Sequence, residues 1–344
     1  VYVDDLACRV CLGDAETRAR YDKFVADMQA EFIVEDRGDC DSMLGYKIDY
    51  DRFAGILKLT QKSCLVKLLD EADLTECRPK YQPCPTGVKP SVKWCLDPDT
   101  DEGKIDASYL LDKDYRGRVG SLNWLSRGCR LDISWVTGML SRHLANPSRK
   151  HWDLSTHVLR WLSTTKDRGI VYRRSSSGLM LKGFVDGDWL ADYGNHAENR
   201  KCVTGYAFTL CGASVSWRSF KQQRVAGSSS ESEYYSLWAA CRECMHLRRQ
   251  LKECGYEQMC STSIAEDNQA VQRMSEDVID SSKNRHWDKE YHQLRAEFTR
   301  GTFKTVFVPT LEQSADILTK SVDKRSLNKH MDILMGLDWT PPCK

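Results

Sequence analysis

Residues 179–189 read LMLKGFVDGDW. Apolar and aromatic residues mark this stretch as a strand, yet it carries two acids, Asp186 and Asp188, beside Phe184, Val185 and Trp189. A carboxylate set in an apolar strand costs free energy unless something compensates its charge. What surrounds this strand decides whether Asp186 is an accident of a surface edge or one wall of a site.

Working outward, the periodicity over the second half is that of an α/β unit. GIVYRR precedes the strand, and TGYAFTLCG and ASVSWRS follow it, the last two parted by Cys211-Gly212. Short strands in succession predict an antiparallel meander. Ser228-Ser229-Ser230 then supply capping hydroxyls for a long helix over residues 231–253. The strand STSIAED, a helix from Asn268, a helix over residues 287–300, the strand FKTVFV and a helix from Glu312 complete the unit. A mixed sheet with helices on its faces is the expected architecture.

Four acids stand where these elements begin or end. Asp186 lies in FVDGDW, Glu233 in the first turn of the long helix, Asp267 where STSIAED meets the next helix, and Asp316 in EQSADILTK. Clustered carboxylates repel and take up protons unless cations neutralise them. Oxygen-only ligands select hard ions such as magnesium or manganese. Two such ions about 3.5–4 Å apart can activate a water and stabilise the departing oxygen of a phosphodiester. Spacing alone does not establish this, because a single acid at an element end is more often a cap or a solvated group.

The first half reads differently. The chain opens VYVDDLACRV, a strand pattern interrupted by Asp4 and Asp5, which fits a hairpin tip presenting carboxylates to a metal or an ordinary acidic turn. AETRARYDKFVADMQAEF, from Ala15, predicts an amphipathic helix, and LGYKIDYDRFAGILKLTQ two strands around a turn near residues 51–55. Thr60 is placed to cap a helix reaching about Asp73. Pro79, Pro83, Pro85, Pro90 and Pro98 mark residues 77–106 as a long irregular connector. Three helical segments follow between Asp114 and Lys166, broken near residues 128–130 and at Asn146-Pro147.

At 344 residues, two domains are expected. A content of 41% hydrophobic and 29% charged residues describes a folded protein. No apolar run approaches the roughly 18 residues of a membrane span, so an intracellular protein with no membrane partner is expected, in a cytoplasmic particle or the nucleus. Fifteen cysteines at irregular spacing read as free thiols. The pairs Cys8/Cys11 and Cys241/Cys244 lack the second pair a structural zinc site needs. The net charge of +1 excludes a uniformly basic nucleic-acid binder. It conceals a local patch that includes Arg149, Lys150, Arg160 and Lys166, suited either to phosphates or to plain solvation.

The whole chain resembles the C-terminal part of the Pol polyprotein of copia-type retrotransposons: the end of a reverse transcriptase followed by a ribonuclease H domain. Tyr2-Val3-Asp4-Asp5 looks like the polymerase family's metal-binding hairpin. Leu44-Gly45, YRGRVGSLNWLSRGCRLDISWVTGMLSRHLANPSRKHW and VLRWLSTTKDRGIVY match its thumb and connection region. FVDGDWLAD, RKCVTGYAFTL, VSWRSFKQQRVAGSSSESEYYSL, EDNQAV and VPTLEQSADILTK are each similar to ribonuclease H tracts in order and separation.

The resemblance implies a partial palm, thumb and connection (residues 1–76 and 77–168), then a ribonuclease H-like five-stranded mixed sheet with flanking helices (169–322) and a C-terminal helix and tail (323–344). It implies Asp186, Glu233, Asp267 and Asp316 as ligands of two Mg2+ or Mn2+ ions, with Asp186 rather than Asp188 and Glu233 rather than Glu231 at the family positions. Asp4 and Asp5 would be metal-binding acids of a polymerase site left incomplete, the rest of the polyprotein lying upstream. Gln269 would touch nucleic acid, and the basic patch would follow an RNA:DNA hybrid or template-primer between the two sites. The family's loop histidine has no counterpart in VPTLEQSAD, and His286 takes no assigned role. A catalytically silent relic or a nucleic-acid-binding module is the alternative reading; an unrelated magnesium nuclease would leave the first 170 residues unexplained.

Overall fold

The computed structural model describes residues 6–8, 13–175, 178–189, 201–276 and 289–337. Asp4, Asp5, Cys11 and His286 lie outside the described residues. Helix α1 (Ala15–Glu31) is capped by the Asp14 side chain; one face, with Tyr21, Val25 and Met28, is half-buried, and none of its residues is fully buried. Strands β1 (Ser42–Met43), β2 (Tyr46–Asp51) and β3 (Ile56–Thr60) form an antiparallel ribbon. Helix α2 (Lys62–Glu71) follows with Gln61, not Thr60, at its N-cap position, and buries Leu65 and Leu69.

The proline-rich connector is irregular except for a 3-10 turn (Val92–Trp94), and ends where Thr100 caps α3 (Asp101–Leu110). The three predicted helices are α4 (Tyr115–Gly128), α5 (Ser134–Leu140) and α6 (Arg149–Thr164). Between α4 and α5, Arg130 pairs with Asp132 in bidentate fashion at 2.9 and 2.7 Å. The Trp161 indole N–H adds a third bond to Asp132 at 2.6 Å, fastening this corner to α6. Both charges are buried, and the fork geometry with its extra donor offsets their desolvation.

Strand β4 (Ile170–Arg173) departs from the expected meander. It pairs antiparallel with β3, closing a first sheet in the order β1-β2-β3-β4. The second sheet contains β5 (Lys182–Asp188), β6 (Val203–Leu210) and β7 (Ala213–Lys221), antiparallel neighbours. After α7 (Ser229–Glu253), β8 (Thr262–Glu266) returns parallel to β5. Helices α8 (Gln269–Glu276) and α9 (Lys289–Thr299) lead to β9 (Phe303–Phe307), parallel to β8. The order β7-β6-β5-β8-β9 is the five-stranded mixed sheet with flanking helices that a ribonuclease H-like fold requires. The helix expected from Glu312 is instead two 3-10 turns, Thr310–Glu312 and Ser314–Leu318, followed by α10 (Lys324–Met335).

The sheet is covered on both faces, which explains why TGYAFTL shows no polar alternation. Val203 and Ala207 of β6 join one core with α4, α5 and α6, the Ser314–Leu318 turn and α10. Tyr206 and Phe208, pointing the other way, join a second core with Val185, Ile264 and the apolar face of α7. Asp186 lies on the central strand between these two layers.

Candidate active site

Strand β5 places Asp186 opposite Gly205 of β6. The next residue, Gly187, is in tight contact with α7: a Cβ there would sit 2.8 Å from Glu233 Oε2 and 2.7 Å from Ser236 Oγ. Glycine in VDGD therefore lets the first turn of α7 lie against the strand. On the other side of the sheet a Cβ at Gly205 would meet Leu318 and Thr319 at 2.7 Å. The 3-10 turn carrying Asp316 thus packs just as closely on β6. Gln222 fixes the start of α7, its amide donating to Ser232 O at 2.9 Å and to Thr204 Oγ1 at 3.1 Å.

These contacts gather the predicted acids. Asp186, Glu233 and Asp267 each present a carboxylate oxygen within 4.8 Å of the other two. Asp186, Glu233 and Asp316 are buried, whereas Asp267, just past β8, is half-buried and open to solvent. Asp316 joins the group through Lys320, one turn further on, whose ammonium lies 2.9 Å from Asp316 Oδ1 and 3.8 Å from Asp186 Oδ2. The Thr319 hydroxyl donates a hydrogen bond to Asp186 Oδ2.

Burial dominates the electrostatics. It raises the Asp186 carboxyl above its ordinary range, with Lys320 and the Thr319 hydrogen bond opposing. Burial, then repulsion from Asp186, Glu266 and Asp267, raises Glu233 well above the carboxylate range. Asp316 is pushed up to about 7 by burial and by Asp186. Lys320 is held charged by Asp186 and Asp316 despite its own burial. Glu233 Oε2 has no hydrogen-bond partner in its buried position. A buried carboxylate oxygen without a donor, set among other oxygens, fits the donor set of a hard divalent cation. Asp186, Glu233, Asp267 and Asp316 are the residues that would hold such ions.

Three neighbours of the quartet were not singled out from the sequence. Glu266, directly before Asp267, is 0% exposed, accepts a hydrogen bond from Asn268 N at 3.0 Å, and is raised well above the carboxylate range by burial. Thr319 and Lys320 belong to the ILTK tract, whose charge one helical turn beyond Asp316 was the available signal. The connector also reaches the site's rim. Lys89 Nζ lies 3.3 Å from Asp188 Oδ2, and Gly87 N donates to Ser321 Oγ at 3.3 Å.

The other expected residues are dispersed. Gln269 is exposed at the start of α8, two residues from Asp267. Arg149, Lys150 and Lys166 are exposed and Arg160 is half-buried, the Arg149 guanidinium lying 4.6 Å from the centre of the Tyr109 ring. Cys241 and Cys244 are buried free thiols on α7, with Cys244 pushed up to about 11 by burial. A second convergence brings Cys95, His143 and His151 together, with Cys95 Sγ 3.5 Å from His143 Nδ1. His151 Nδ1 accepts the Ser148 backbone N–H at 3.0 Å, which leaves its proton on Nε2 and no second lone pair to offer.

No family model matches the chain. It is 31% identical over 324 residues, 94% of its length, to the retrovirus-related Pol polyprotein from transposon TNT 1-94 of Nicotiana tabacum. It is 28% identical over 343 residues to that from transposon RE2 of Arabidopsis thaliana. Among solved structures, the ribonuclease H1 of the halophilic archaeon Halobacterium salinarum NRC-1 aligns with 41% of this chain and 94% of its own at 16% identity, with a TM-score of 0.29. The chain spans 23% and 22% of the length of the two polyproteins. Over nearly its whole length the chain is thus related to one segment of the retrovirus-related Pol polyproteins from transposons.

Proposed function

We propose that the second sheet carries a metal-dependent ribonuclease H that hydrolyses the RNA strand of an RNA:DNA hybrid, with two Mg2+ or Mn2+ ions held by Asp186, Glu233, Asp267 and Asp316. The observation that carries this reading is the convergence of Asp186, Glu233 and Asp267 from three separate elements to within 4.8 Å. Bound divalent ions supply a nucleophilic water at neutral pH and charge stabilisation at the leaving oxygen. The chain's own groups provide the rest. Asp186 is fixed by Thr319 and Lys320, so its free lone pairs face the cluster. Glu233 offers an unsatisfied oxygen from a helix pressed against β5. Asp267, the half-buried member, stands where substrate arrives from solvent.

In the same reading Gln269 contacts the hybrid near the site, and Arg149, Lys150, Arg160 and Lys166 contact phosphates further along it, recognising duplex shape rather than base sequence. Asp4 and Asp5 are, in this reading, metal-binding acids of a polymerase site. The test is cleavage of a labelled hybrid by the whole chain with magnesium, beside Asp186→Asn. Cleavage by the parent that the variant lacks is expected. Hybrid binding without cleavage in both proteins would refute the nuclease and favour a silent nucleic-acid-binding module.

A further inference from the structure

The acid cluster is neutralised on one side only. Between Asp186 and Asp316 the Lys320 ammonium lies 3.8 Å from one carboxylate and 2.9 Å from the other. Among Asp186, Glu233 and Asp267 the oxygens lie within 4.8 Å of one another, yet no described cation pairs with Glu233 or Asp267, and Glu233 Oε2 has no donor. Two places for positive charge therefore exist, one open and one filled by the protein's own side chain.

Several features make Lys320 a removable occupant. It sits one turn after Asp316, so its four-carbon stem reaches Asp186 without backbone movement. Its side chain is 33% exposed, so it lies at the mouth of the site and can turn out to water. The ammonium is a compact point charge with rotatable donors, so it can offset two carboxylates at once where a cation would. Asp186 is held independently by the Thr319 hydroxyl, so its position survives departure of the lysine.

We infer that Lys320 is a stand-in cation: it occupies the gap between Asp186 and Asp316 in the metal-free protein and must swing out before a divalent ion can bind there. This inference rests on the four acids being metal ligands, as proposed above. Lys320 is then a positioning residue with two opposed effects. It keeps Asp186 and Asp316 from repelling each other before metal arrives, and it competes with the second ion. The ion among Asp186, Glu233 and Asp267 binds first, and the ion beside Asp316 binds more weakly.

The experiment is titration of the metal-free whole chain with manganese alone, by calorimetry with spectroscopic counting of bound ions, for the parent, Lys320→Met, Lys320→Arg and Lys89→Met. In the parent, two unequal binding classes are expected. Lys320→Met strengthens the weaker class by at least about tenfold and lowers the melting temperature in chelator. Lys320→Arg retains the parent's unequal classes. Lys89→Met removes a charge that pairs instead with Asp188 at the rim and leaves the weaker class unchanged. If Lys320→Met fails to fold in chelator, refolding driven by manganese supports the same role, because the metal then replaces the missing ammonium.

Identical isotherms for the parent and Lys320→Met, an equal gain from Lys89→Met, or absence of manganese binding in every protein would overturn the inference. Hybrid cleavage is read separately. A cleaving parent with no Lys320 effect rejects the stand-in and keeps the nuclease. A strengthened weak class in a chain that never cleaves rejects the nuclease and keeps the stand-in.

Discussion

Glu233 and Asp316 show why the site is costly to build. Each carboxyl holds its proton more tightly than in water, mainly because it is buried, and Asp316 titrates at about 7. An acid whose pKa rises on folding binds more protons in the native than in the unfolded state. Metal-free stability therefore falls as pH climbs from about 4, the unfolded carboxylate value, through the native value near neutrality. Divalent cations bind the ionised form, so the same titration makes their affinity rise between about pH 6 and about pH 8. Melting curves in chelator and in magnesium should accordingly diverge with increasing pH, and Glu233→Gln should narrow that divergence by raising the chelator curve at about pH 8. A divergence independent of pH would mean that the buried acids are not what the metal engages. That acids stand at the ends of these elements was legible from FVDGDW, SSSESEYY, EDNQAV and EQSADILTK, but their proton affinities were not. Those depend first on burial and then on Asp186 standing beside both, which follows from how β5, α7 and the Ser314–Leu318 turn pack together.

At the scale of elements, two close approaches set the geometry: β5 against α7 at Gly187, and β6 against the Ser314–Leu318 turn at Gly205. Replacing Gly187 with alanine puts a methyl group 2.8 Å from Glu233 Oε2 and 3.0 Å from Ser232 O. The helix start must then lift from the strand, at about 1–3 kcal/mol, and Glu233 moves away from Asp186. Gly187→Ala should lower both the melting temperature and manganese affinity, and a variant that melts earlier but binds manganese unchanged would show that this contact does not position Glu233. Strands and long helices were readable because periodicity and capping agree, as at Ser228 before α7. EQSADILTK misled because its apolar spacing suits a helix, whereas Gln313 and Thr319 bind locally and hold the segment as 3-10 turns against the sheet. The pairing of β4 with β3 was likewise hidden, since nothing in IVYR names a partner over a hundred residues upstream.

For the molecule as a whole, the decisive fact is that the second sheet shares its core with the helices before it. Val203, Ala207, Ile317 and Leu318 pack in one cluster with Leu122, Val136, Leu140, Val158 and Leu162. The Trp217 indole N–H donates to Ser126 O at 2.8 Å, and the Tyr172 hydroxyl to Ser214 O at 2.7 Å, each joining the two sheets' surroundings. The connector adds its own links at Lys89 and Gly87 beside the acid site. A polypeptide beginning at Gly169 would expose the β6 face and the Asp316-bearing turn to water, and fully exposing apolar side chains of this size costs about 1.5–3 kcal/mol each. Against a total stability of about 5–15 kcal/mol for an ordinary domain, losing several such contacts removes the margin. The fragment 169–344 is therefore expected to lack a cooperative melting transition and to cleave no hybrid, while the whole chain does both. A cooperative melt and magnesium-dependent cleavage by the fragment would show instead that α7 and the sheet alone hold the four acids in place, and that the shared core serves only to orient the preceding helices.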